Sequence, residues 1–231
     1  MKGESMHNEF ELMNIQAEVL FAHDSLGRIT KVNEFEGHPA PRLFWGKTKK
    51  GNVLRFRGDV PSDIANKMIE IINNSDDTNI VLAKIINELE QQTKISSIWM
   101  GPAYVFEDYK VGASQAVKVT NDNREYLEPG FKKLLTELKY REPCYMVIED
   151  NKAVSVCFSA RNTDRAAEAG IETLEEYRGK GYAIAVASAW LAAVHVSGKV
   201  ALYSTSWDNY ASQAVAKRLQ LTLYGTDISI Y

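Results

Sequence analysis

Residues 166–196 constrain this chain more than any other stretch. Residues 166–173 read as a strand. Arg178-Gly179-Lys180-Gly181-Tyr182-Ala183 follows as a glycine loop. Beyond Gly181 there is no proline or glycine up to Val196, so the chain can continue there as helix. Two glycines let the backbone turn tightly with its N–H groups facing outward. A glycine turn feeding a helix N-terminus is an anion site, because unpaired N–H groups and the helix dipole converge there. Arg178 and Lys180 add positive charge. The expected ligand at this loop is a phosphate or pyrophosphate.

The same residues resemble a known family. Arg178-x-x-Gly181-x-Ala183 is similar to the acyl-CoA loop of the Gcn5-related N-acetyltransferases, the GNAT superfamily, whose pattern is Gln/Arg-x-x-Gly-x-Gly/Ala. Asn209-x-x-Ser212, then Ala216 and Leu219, resembles the helix after that family's fifth strand. The resemblance covers residues 104–231 and is strongest over 153–221. It implies an α/β (α+β) fold, with a GNAT-like mixed sheet and flanking helices. It also implies that the strand before the glycine loop parts from the strand at 200–206.

By that resemblance acetyl-CoA is the acyl donor and lies in the cleft between those strands. Its pyrophosphate meets the N–H groups of Gly179, Lys180, Gly181, Tyr182 and Ala183, beside Arg178. Its pantetheine runs along the backbone of Ile171 and Thr173, and Asn209 matches a frequent cofactor contact. The reaction implied is direct acyl transfer to an amine, with the Thr173 backbone as the candidate oxyanion donor. Many members carry a tyrosine acid seven residues after the helix-start Asn, where this chain has Ala216. Tyr203, Tyr210 and Tyr224 are the candidate substitutes, with a reaction that needs no acid as the alternative. No metal is implied.

Two glutamates are candidates for the base. Glu168 and Glu172 share strand parity, with Ala169, Ile171 and Thr173 on the opposite face. They lie about 13 Å apart along a strand, too far to share a proton. Glu172 falls beside the pantetheine arm and Glu168 nearer the thioester, so Glu168 is preferred. A solvated or salt-bridged glutamate is the bland alternative at either position.

Two rival readings stay open. One is a non-catalytic acyl-CoA-binding or regulatory module, which Ala216 favours. The other is a nucleotide-binding domain. The acceptor is equally open among antibiotic, polyamine, amino acid and protein terminus, and a homodimer is an open assembly.

The net charge of −3 argues against a broad nucleic-acid surface. No apolar window reaches the length of a membrane span, and residues 1–10 are too polar for a secretory leader. Two cysteines require no disulfide scaffold. The expected location is the cytoplasm, with no nucleic-acid or membrane partner.

Residues 1–94 read as an N-terminal α+β region of hairpins and two helices, and 95–231 as the GNAT-like domain. Hairpins are expected around 24–27 and 47–51, and helices from the 59–62 start and after 78. Residues 13–20 fit helix or strand. The aromatics Phe44, Trp45 and Phe56 read as core, with an acceptor pocket as the alternative. Residues before about 95 are expected to shape the acceptor side.

In the second region, residues 95–106 read as a strand broken at Gly101-Pro102. A helix carries Leu127, Phe131, Leu134, Leu135 and Leu138, with Pro129-Gly130 able to interrupt it. Strands at 144–148 and 153–158 flank a two-residue turn. Partner numbers then sum to 301 and Cys144 faces Cys157. Arg161 and Arg165 fall in a polar loop at 159–165 and read as solvent-exposed, with contact to an acidic substrate as the alternative. A terminal hairpin turns at Gly225-Thr226.

Overall fold

The computed structural model describes residues 7–36, 38–75, 77–107 and 115–231. The polar start at 1–6, Gly37 of the proline-bearing loop, Asp76 of the inter-helix break and residues 108–114 lie outside the described residues. Asn8 opens α1 (Glu9–Leu20) by accepting a hydrogen bond from the Glu11 N–H. Glu9 and Glu11 favour the positive end of its dipole. That settles residues 13–20 as helix. A hairpin of β1 (Phe21–His23) and β2 (Ile29–Val32) follows, then a second of β3 (Leu43–Thr48) and β4 (Gly51–Phe56). Helices α2 (Ser62–Asn73) and α3 (Thr78–Glu90) complete the first region.

The second region runs β5 (Ile98–Val105), β6 (Val117–Lys118), α4 (Lys132–Glu137), β7 (Cys144–Glu149) and β8 (Lys152–Asn162). It continues with β9 (Ala166–Thr173), α5 (Tyr182–Val196), β10 (Val200–Ser204), α6 (Tyr210–Arg218) and β11 (Thr222–Ile230). Nine strands form one mixed sheet in the order β4-β3-β11-β5-β10-β9-β8-β7-β6. The expected boundary between residues 94 and 95 falls between α3 and β5, and strands from both sides share this sheet.

Side-chain alternation sorts the core into two faces. Phe44, Ala166 and Leu202 pack with α1 and the first hairpin. Val156 and Phe158 pack toward α4 on that same face. Leu43, Trp45, Ile228 and Ile230 pack against α2 and α3. Cys157, Ala167, Ala169 and Ala201 pack with α5 and α6. The mixed α/β sheet with flanking helices is therefore the fold. Phe44 and Trp45 are core residues on opposite faces, and Phe56 packs beside Trp45. Among the described residues no helix is long and apolar enough to cross a membrane.

Five expectations need correction, the last being the register of the 144–158 hairpin. β5 runs unbroken through Gly101-Pro102. Proline removes a ladder donor, but Pro102 pairs with Thr226 of β11 and turns its nitrogen edge toward β10, whose ladder has ended at Ser204. β11 likewise runs through Gly225-Thr226 as one strand with a bulge between Leu223 and Gly225, so no terminal hairpin forms. β8 extends to Asn162, which puts Arg161 in the sheet rather than in a loop. The segment 124–140 is three short pieces: a 3-10 turn, α4 and a second 3-10 turn, split by Pro129-Gly130.

The Asp150-Asn151 turn has two residues with positive φ of 49° and 59°. Glu149 pairs with Lys152 and Ile148 with Ala153, on the 301 sum. A bulge between Val147 and Ile148 then shifts the ladder by one, so Cys144 faces Phe158 and Cys157 faces Tyr145. The two thiols consequently point to opposite faces of the sheet, in different core clusters. Burial, with the charge of Glu142, pushes the Cys144 thiol up to about 12. Burial, with Cys144, pushes Cys157 well up also. Both are expected to resist a thiol reagent in the native protein and to react as two free thiols in denaturant. Recovery of an intramolecular disulfide after mild oxidation of the native protein would contradict this placement.

Candidate functional site

β9 and β10 pair in parallel only from Ala166 to Glu168, opposite Val200 to Leu202. Beyond that β9 stays with β8 as far as Thr173, and β10 stays with β5 as far as Ser204. The strands part, and the gap holds two adjoining cavities of about 580 and 390 Å³. Ile171, Tyr203, Asn209 and Ser212 line both.

The larger cavity runs from the end of β9 to the glycine loop. Leu174 N–H donates to the Val154 carbonyl at 2.9 Å, which fixes the alternation of this antiparallel pair. The N–H and C=O groups of Ile171 and Thr173 therefore point away from β8, into the gap. The Arg178 Nε donating to the Thr173 carbonyl at 3.4 Å agrees with that direction. Gly179 and Gly181 have φ of 80° and 86°, and a Cβ on either would meet nothing within 4 Å. Conformation, rather than space, is what requires glycine there. Ile184 and Ala185 donate back to the Gly181 carbonyl. The N–H groups just ahead of them, on Tyr182 and Ala183, have no intrahelical acceptor.

The loop is thus an open cradle of backbone donors at the positive end of α5, and its donor set fits a diphosphate. Arg178 lines the cavity. Lys180 instead places its ammonium 4.6 Å from the centre of the Tyr177 ring. Tyr182 donates its hydroxyl to Glu149 Oε1 at 2.5 Å. Asn209 caps α6 by accepting the Ser212 N–H at 3.0 Å.

The smaller cavity holds Glu168. This side chain is buried, its Oε2 accepts from Arg161 Nη1 at 3.0 Å, and its Oε1 accepts from Ser204 Oγ. Arg161 also donates to Glu34, from the segment after β2. Tyr203 is buried at the junction of the cavities. Burial, opposed by a hydrogen bond with Ser212, pushes its hydroxyl up to about 12. Of the other tyrosines, Tyr210 is 78% exposed, and buried Tyr224 donates to Gln16. Ala216 lies on the buried face of α6, packed into the core. Glu172 lines only the larger cavity, and burial raises its carboxyl against the opposing charges of Arg141 and Lys133. The two glutamates are not brought together.

Sequence reasoning placed Arg161 in a loop and missed Ser204, Asp227 and the contribution of Leu20, Phe21 and Val32, all on the smaller cavity's wall. For Asp227 a signal existed. Asp227, Ser229 and Tyr231 alternate with Ile228 and Ile230, the pattern of a strand with one polar face. That face borders a cavity instead of solvent.

A family model described as GNAT acetyltransferase matches residues 42–225, well over half the chain. No curated protein sequence matches the chain. Among solved structures, a GNAT-family protein from Novosphingobium aromaticivorans DSM 12444 is 15% identical with a TM-score of 0.49. That alignment covers 59% of this chain and 66% of the other, so the chain spans just under two thirds of its length. A GCN5-related N-acetyltransferase from Kribbella flavida is 12% identical, with coverage of 98% and 96% and a TM-score of 0.49. An aminoglycoside N-acetyltransferase in complex with CoA is 18% identical, with coverage of 45% and 88% and a TM-score of 0.39.

Proposed function

Because the chain belongs to the GNAT acetyltransferase family, we propose that it transfers the acetyl group of acetyl-CoA to an amine. The observation that carries this is the pair of adjoining cavities at the β9–β10 split, one ending at an anion cradle and the other holding a buried carboxylate. Acetyl-CoA supplies an electrophilic thioester. The N–H groups of residues 179–183 hold its diphosphate, and the outward backbone of Ile171 and Thr173 pairs with its pantetheine amides. Ile171 lines both cavities, so its N–H sits closer to the junction than that of Thr173 and is the better oxyanion donor.

Glu168 takes the proton that the amine loses as its nitrogen bonds to the thioester carbon. Each of its oxygens already accepts one hydrogen bond, and each keeps a second lone pair. Tyr203, whose hydroxyl stays protonated at neutral pH, gives a proton to the sulfur as the C–S bond breaks. Leu20, Phe21 and Val32 give the N-terminal region its part in shaping the acceptor side.

Glu168→Gln is expected to leave CoA affinity intact and lower turnover of an alkylamine about 10²–10⁴-fold at neutral pH. The loss should shrink at high pH, because an amine with pKa about 10.4 then deprotonates unaided. Full activity of that variant at neutral pH would remove Glu168 from the mechanism. The function itself is tested by calorimetric CoA binding together with thiol release from acetyl-CoA across a panel of amines. The rival reading, a binding module that has lost its acid at Ala216, predicts CoA binding with no amine-dependent thiol.

A further inference from the structure

Asp227 is wholly buried on the wall of the smaller cavity. Gln16 Nε2 donates to its Oδ2 at 2.7 Å, and Tyr224 donates to Gln16 Oε1 in turn. The bulge in β11 makes this chain of contacts possible, because it turns Tyr224 and Asp227 toward the same α1 residue. The second carboxyl oxygen, Oδ1, is buried with no hydrogen-bond partner. Buried polar atoms are nearly always paired, so an orphan on a cavity wall marks a place for a ligand donor.

The surroundings say which donor. Among the described lining residues Arg161 is the only cation; Glu168 and Glu34 engage its Nη1 and Nη2, while its Nε is buried without a hydrogen-bond partner. Nothing else on that wall supplies positive charge to Asp227. Burial first, then the charge of Glu168, pushes the Asp227 carboxyl well above the ordinary range, with Arg161 acting the other way. A bound cation would relieve that arrangement. Two strands, β5 and β10, lie between Asp227 on β11 and Glu168 on β9. At about 4.8 Å per strand their backbones are at least about 14 Å apart. The two carboxylates therefore converge from opposite ends of one cavity of about 390 Å³, a small-molecule volume.

We propose that the acceptor is a short aliphatic diamine, with the amine to be acylated beside Glu168 and a second ammonium on Asp227 Oδ1. This rests on the transferase reading, with the acceptor in the smaller cavity. Putrescine and cadaverine are the probes, against n-pentylamine, with acetyl-CoA as donor and thiol release as readout. The expected result is a KM for the diamines about tenfold or more below that of the monoamine, with kcat less affected. Asp227→Asn should erase that difference by raising the diamine KM, with the monoamine KM and the calorimetric CoA affinity unchanged.

The wild-type comparison stands even if the variant fails to fold. Equal KM values for diamine and monoamine in the wild type would overturn the diamine assignment while leaving the transferase intact. So would a folded Asp227→Asn protein that keeps the diamine preference. Absence of CoA binding in the wild type would overturn the transferase reading itself, and the acceptor assignment with it.

Discussion

Gly181→Asp is expected to abolish CoA binding and to leave a folded protein. Gly181 has φ of 86°, and a Cβ there meets no atom within 4 Å. The fold therefore suffers only the local cost of a left-handed residue, about 1–2 kcal/mol. The bound diphosphate suffers more. Two like charges about 4 Å apart near a protein surface repel by roughly 4 kcal/mol, close to a thousandfold in affinity. Calorimetry and a thermal melt on one sample separate the two effects. A folded variant with wild-type CoA affinity would remove the glycine loop from the site. Arg178→Ala should weaken binding far less, because backbone N–H groups make up most of the cradle.

Gly101→Ala carries the largest expected effect on stability. The added Cβ would lie 1.8 Å from the Thr205 carbonyl oxygen and 2.8 Å from the Ser206 Cα. Both are backbone atoms, so no side chain can swing aside. The Thr205 N–H donates to the Pro102 carbonyl and the Trp207 N–H to the Met100 carbonyl, so residues 205–207 ride directly on β5. That contact carries the chain from Ser204 to the Asn209 cap of α6, and so shapes both cavities. The expected loss is about 3–5 kcal/mol, in the class of severe core overpacking. For a chain of this size it lowers the melting temperature by on the order of 10 °C. Gly58→Ala meets nothing within 4 Å and is the control. Equal melting temperatures for the two variants would contradict the close approach of β5 to the 205–207 segment.

The parts legible in the sequence were those set by local chemistry. Asp150-Asn151 fixes its own turn, and the run after Gly181 has no breaker to stop a helix. The glycine loop and its helix were readable for the same reason, whereas the parting of the strands came only with the family resemblance. What escaped depended on neighbours distant in sequence. Pro102 reads as a strand breaker until β11 and β10 are seen to ask nothing of its missing donor. The bulge at Val147 is invisible in the hairpin's residues, yet it turns two facing thiols into two unrelated ones. Arg161 reads as a loop residue because β8 outlasts its apolar run, and only the fold brings Glu34 and Glu168 to it. Asp227 needed Gln16, 211 positions away, to become part of a site.

On the proposed reading an acetyl group crosses from the larger cavity to an amine in the smaller one. The most direct measurement weighs both products after incubation with acetyl-CoA and a primary amine. The prediction is one amine heavier by an acetyl group for each free thiol released. Thiol release with no acetylated amine, or bound CoA with neither product, would contradict it.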